Sequence, residues 1–74
     1  MTNGSDQYIM QIDYSNPNQI YIGWAVPGTA ITDQLWQIRL VQNAASVSGV
    51  TVLWADGDNK FDNVWNNRTM LNYA

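Results

Sequence analysis

At 74 residues the chain has room for one domain and one small core, and it has no cysteine or histidine to staple that core through disulfides, thiolate sites or imidazole ligands. Only 12% of residues are charged against 46% hydrophobic, and Arg39, Lys60 and Arg68 are the three cations in a net charge of −3, so neither a disordered chain nor the basic stripe of a nucleic-acid binder fits. No stretch approaches the roughly 18 consecutive apolar residues of a membrane span, and "MTNGSDQYIM" lacks the basic start and apolar run of a secretory signal.

Residues 1–6 read as a flexible tail ahead of a single small β domain over 7–74. The dominant period from there is two, the mark of half-buried strands. In "QYIMQIDY" Tyr8, Met10, Ile12 and Tyr14 share a face, expected to point inward. "SNPNQ" is a turn by composition. "IYIGWAV" sets Ile20, Ile22, Trp24 and Val26 against Tyr21, Gly23 and Ala25, and Gly23 inside a strand predicts a bulge or a neighbour packed close to the backbone.

Pro27-Gly28 in "PGTAITD" is a turn pair, Pro presetting φ and Gly accepting positive φ. "QLWQIRLVQ" predicts a third strand with Trp36, Ile38 and Leu40 on one face and Gln37 and Arg39 on the other. "NAASVSG" is a polar hairpin tip, and "VTVLWA" a fourth strand with Val50, Val52 and Trp54 inward. Paired as one long hairpin, the third and fourth strands are expected to bring Trp36 and Trp54 close at its open end.

The period then changes. Phe61, Val64, Trp65 and Arg68 fit i, i+3, i+4, i+7, predicting a short helix or 3-10 segment capped by Asp58 or Asn59, with Asp62 in its first turn. "TMLNY" is expected to form the closing strand. The fold expected is mainly β: a small five-stranded antiparallel SH3-like barrel or sheet, with that short segment before the last strand.

"WADGDNKFDNVW" carries Asp56, Asp58 and Asp62, half of the six acidic residues. A calcium loop counted from Asp56 places Asp58 correctly, but Lys60, Phe61 and Asn67 fail at the fifth, sixth and twelfth positions. A looser Asp-x-Asp cation site and a carboxylate pair for glycoside hydrolysis, Asp56 with Asp62, are the chemical alternatives. The scaffold reading makes Asp56-Gly57 a turn and the other acids helix-start residues. No nucleophile has a base beside it and no phosphate loop appears, so no catalytic residue, metal or cofactor is expected.

Trp24, Trp36, Trp54 and Trp65 are expected in the core. The opposite strand faces carry Ile9, Tyr21, Leu35, Val41, Leu53 and Met70, more apolar residues than a monomer of this size should expose in one patch. Either they bury against a partner protein, which makes them the candidate interface, or some strand faces are assigned the wrong way round. Arg68 is expected at the helix end, near the carbonyls it exposes.

Together "YIGWAVPGT", "LWQIRLV" and "VLWADGDNKFDNVWNNRTMLNY" resemble a group of small structural proteins of tailed bacteriophages. The resemblance covers residues 20–73 and rests on Gly23, Pro27, Gly28, Trp36, Trp54, Asp56, Gly57, Phe61, Trp65 and Arg68. It implies a virion component made in the host cytoplasm: a non-enzymatic subunit of the tail, baseplate or fibre attachment, neck or capsid exterior. Such a subunit would bind other virion proteins through strand edges and apolar outer faces, in several copies of a symmetric assembly. The alternative is a small receptor- or carbohydrate-binding module using aromatic side chains.

Overall fold

The computed structural model describes residues 7–45 and 47–74, and the tail expected over 1–6 lies outside them. Strand β1 (Ile9–Asn16) pairs antiparallel with β2 (Gln19–Ala25), and β2 with β3 (Gln34–Gln42). β3 is the spine. Its far side holds β4 (Thr51–Trp54) along one half and the two-residue β5 (Asn63–Val64) along the other. A 3-10 helix (Trp65–Met70) follows. The mainly β architecture is therefore an antiparallel five-stranded sheet with a short 3-10 segment near its end; the sheet is open, not a closed barrel.

Turn chemistry sets the connections. Asn16 Oδ1 accepts the Asn18 N–H at 2.9 Å, closing the β1–β2 hairpin around Pro17. Gly28 takes φ +94°, and the Thr29 N–H reaches the Val26 carbonyl at 3.1 Å, as the Pro-Gly pair predicts. Asp56 and Gly57 both take positive φ, 58° and 71°, the signature of a type I′ turn.

The end of the chain departs from expectation. The fifth strand precedes the 3-10 helix, and residues 72–74 run along the outer edge of β4, where Trp54 and Ala74 exchange backbone hydrogen bonds at 2.9 and 3.0 Å and Tyr73 bridges Ala55. The helix begins at Trp65, after Val64 and without a side-chain cap. Asp58, Asn59, Phe61 and Asp62 lie outside it because the chain at 58–62 is occupied in crossing from one side of the sheet to the other. Asp58 Oδ1 accepts the Lys60 N–H at 3.0 Å, the Asn59 carbonyl accepts from Gln37 Nε2 at 2.9 Å, and Asn63 Nδ2 donates to the Trp36 carbonyl at 3.3 Å.

The core occupies one face of the sheet, under the helix. Ala25, Trp36, Ile38, Ala55 and Trp65 are buried there, with Ile9, Tyr21, Leu71 and Tyr73 packed against them. Trp36 Nε1 donates to the Ala30 carbonyl at 2.9 Å, so its one polar atom is satisfied in the interior. Gly23 is the seat of the covering aromatic: a Cβ there would lie 2.6 Å from Trp65 Cε3. The register is continuous through Gly23, so the close neighbour, and not a bulge, explains it.

This placement corrects the inward face of three strands. Pairing puts Ile9, Asp13, Tyr21, Gly23, Ala25, Ile38, Leu40 and Leu53 on the covered side. Met10, Ile12, Ile20, Ile22, Trp24, Val52 and Trp54 therefore lie on the other side, and only the phase expected for β3 holds. Trp36 contacts Trp65, with ring centroids 6.0 Å apart, while Trp54 lies on the opposite face.

Candidate interaction surface

The second face of the sheet carries an apolar field with one charge in it. Met10, Ile12, Val50 and Val52 are exposed, and Ile20, Ile22, Trp24, Val41 and Trp54 are half-buried. A solvated antiparallel sheet normally alternates to polar residues on its outer side. Here apolar side chains continue from β1 across to β4.

Arg39 stands in the middle of that field. It pairs directly with Trp54 across the β3–β4 ladder, and its Cζ lies 4.2 Å from the Trp54 ring centroid and 4.4 Å from that of Trp24. The guanidinium is thus held between two indoles, a cation–π arrangement contributing about 0.5–2 kcal/mol per contact according to its desolvation. Its terminal Nη2 donates to Gln37 Oε1 at 3.3 Å, and its buried Nε has no hydrogen-bond partner. Among the described residues Arg39 makes no ion pair.

Gln37 is committed on both sides, since its Nε2 holds the Asn59 carbonyl. It thereby pins the 58–62 crossing against one end of this face, where Phe61 stacks on Tyr8 with centroids 5.3 Å apart. Tyr8, Trp24, Gln37, Arg39 and Phe61 line a concavity of about 290 Å³. Sequence reasoning did not single out Arg39. The signal was there: in a β3–β4 hairpin, Arg39 and Trp54 fall opposite each other.

The six residues expected at the interface do not form one patch. Ile9 and Tyr21 pack against the core, and Leu53 is half-buried beside Leu40 on the covered side. Val41 belongs to the open face, next to Ile20 and Val52. Leu35 and Met70 are exposed, Met70 at the end of the 3-10 helix.

The motif residues are spread through the sheet and its closures. Pro27, Gly28, Asp56 and Gly57 make turns, Trp36 and Trp65 enclose Gly23, and Trp54 and Phe61 serve the open face as described. Arg68 closes the covered side. Its Nε donates to Asp13 Oδ2 at 2.9 Å, its Nη1 to the Trp65 carbonyl at 3.2 Å, and its Cζ lies 4.6 Å from the Trp65 ring centroid. The Ser15 hydroxyl and N–H both donate to Asp13, and with the Arg68 guanidinium they hold its carboxyl down at about 2. The Tyr73 hydroxyl donates to the Arg68 carbonyl at 2.8 Å, and burial raises that phenol well above its ordinary value.

The three clustered carboxylates do not converge. Asp56 and Asp62 line a groove of about 220 Å³ with Gln34, Asn63, Asn67 and Leu71. Asp58 is absent from that lining and is engaged with the Lys60 N–H. Among the described residues no group of three or more metal-binding side chains comes together. No known protein family, curated protein or solved structure matches this chain.

Proposed function

We propose that this chain is a non-enzymatic structural subunit that works by contact, through the open face of its sheet. The observation that carries this reading is the apolar field around Arg39, in which apolar side chains run from β1 to β4 on the side of the sheet that normally alternates to polar residues. The outer edge of β1 adds a second means of attachment, because among the described residues β1 pairs only with β2, which leaves its far side to an incoming strand. The motif resemblance supports a tailed-phage particle as the setting, in the tail, baseplate or fibre attachment, neck or capsid exterior, with several copies per particle.

Particles purified from a phage encoding the chain, analysed by quantitative mass spectrometry and immunogold labelling, test this. The chain should be present at a fixed ratio to the major structural proteins. Its absence from intact particles overturns the virion assignment.

One observation favours a second reading, a carbohydrate-binding module. Trp24 and Trp54 lie on the open face and not in the core, as sugar stacking would require. The Arg39 guanidinium, however, fills the space between the two rings. A glycan-dependent shift in tryptophan emission would support this module over the contact subunit.

A further inference from the structure

We infer that the open face docks a partner polypeptide that presents a carboxylate, from Asp or Glu, between apolar side chains, with Arg39 receiving the carboxylate. This rests on the contact reading and adds the chemistry of the partner. Three features of the face select that occupant.

Arg39 is the one cation on strands β1–β4, and no acid of those strands pairs with it. Asp58 lines a concavity with Trp54 and Asn59 at the rim of the face, but its Oδ1 is taken up by the Lys60 N–H and it forms no ion pair with Arg39. Asp13 points to the covered side and is engaged by Arg68. Asp56 and Asp62 line the groove beside Leu71. Gln37 supplies one acceptor to the guanidinium, and its amide is spent on Asn59. Covering Arg39 with a wholly apolar surface would bury a charge with no counter-ion, which is strongly unfavourable. A second copy packed face to face about an axis near Arg39 would set the two guanidinium groups against each other. A carboxylate removes both penalties, and a guanidinium fork held flat between two rings is already oriented for it.

The surroundings select the rest of the segment. Around Arg39 lie Ile22, Trp24, Val52 and Trp54, and the concavity beside it is walled by Tyr8 and Phe61. Apolar side chains flanking the acid would fill these positions, while water excluded by them strengthens the ion pair.

Proton–nitrogen NMR of the full chain tests this with two probes, Ac-Leu-Asp-Leu-NH2 and its Asn counterpart. The Asp peptide should move the Trp24 and Trp54 indole N–H and Arg39 Nε–H signals saturably, with an affinity about tenfold above that of the Asn peptide. Trp36, whose indole is bonded inside the core, reports that the fold is intact. Arg39→Met should reduce the Asp peptide to the level of the Asn peptide, and Arg39→Lys, which keeps the charge without the fork, should fall between them. If Arg39→Met fails to fold, the comparison of the two peptides on the unmodified chain decides the matter alone.

Equal affinity for the two peptides, or no saturable binding of either, overturns the carboxylate assignment. So does saturation by acetate at the same midpoint as the Asp peptide, which would mark a simple anion site. Movement of the same signals with protein concentration alone would make a second copy the occupant and equally overturn it. Presence in the particle is read separately, so any of these results with the chain still in the virion removes the partner chemistry and leaves the contact role standing.

Discussion

Trp65 lies directly over Gly23: a Cβ built on the glycine would sit 2.6 Å from Trp65 Cε3 and 3.1 Å from Trp36 Cε3. Two core indoles approach β2 only because one of its residues has no side chain. Gly23→Ala is therefore an overpacking change, expected to destabilise the fold by about 1–3 kcal/mol. That loss exceeds the gain from a stiffer unfolded chain, about 0.4–1 kcal/mol. The check is urea unfolding, in which the midpoint should fall with the slope unchanged. An unchanged midpoint would mean that the Trp65 seat does not govern packing.

The Asp13–Arg68 pair, 2.9 Å apart, ties β1 to the 3-10 helix across 55 residues of chain. Asp13 titrates at about 2 in the folded protein, below its ordinary value of 3.8, so the folded state favours the charged form. Its contribution to stability is present in full above the unfolded value and is lost as pH falls toward the folded one. Unfolding midpoints measured between pH 5 and pH 2 should drop, and Asp13→Asn should flatten that drop while lowering stability at neutral pH by about 1 kcal/mol. A variant with the same acid profile as the parent would show that another carboxylate is responsible.

Asp56 and Gly57 hold positive φ in succession. Gly57→Ala forces an L side chain into that region at a cost of about 1 kcal/mol, equivalent to a melting temperature lower by roughly 4–8 °C in a domain of this size. Asp56→Asn should be nearly neutral, because Asn tolerates the same backbone conformation. Thermal melts of the two variants separate a turn from a chemical site: a large loss in Asp56→Asn with Gly57→Ala unaffected would contradict the turn role.

Asp58 is engaged with Lys60 N–H, away from the groove lined by Asp56 and Asp62. Millimolar calcium, or its removal by a chelator, should leave the melting temperature within about 1 °C, since a site binding the folded state tightly would raise stability by ~2.7 kcal/mol at a hundredfold excess over its Kd. A calcium-dependent rise of several degrees would restore the cation site considered from the sequence.

Alternation of apolar residues was enough to determine the four long strands, and Pro27-Gly28 and Asp56-Gly57 were enough to determine two of the turns. The change of period after residue 58 likewise told of a short helical segment near the end of a mainly β chain, found as the 3-10 helix at Trp65–Met70. What alternation could not decide was which face is covered: β2 and β4 carry apolar residues on both sides, and β1 turns Gln11 and Asp13 to the covered side while Met10 and Ile12 face out. β3 sets polar Gln37 and Arg39 against Trp36, Ile38 and Leu40, and only there is the apolar side of the alternation also the covered one. The covered side was chosen by the crossing at 58–62, which carries Trp65 around the sheet's edge and sets it on Gly23. That choice depends on contacts between residues some 40 apart in the chain, where a small residue in one strand leaves room for a large one elsewhere. Local periodicity is blind to such a fit, and the same fit leaves Arg39 and its two tryptophans facing outward.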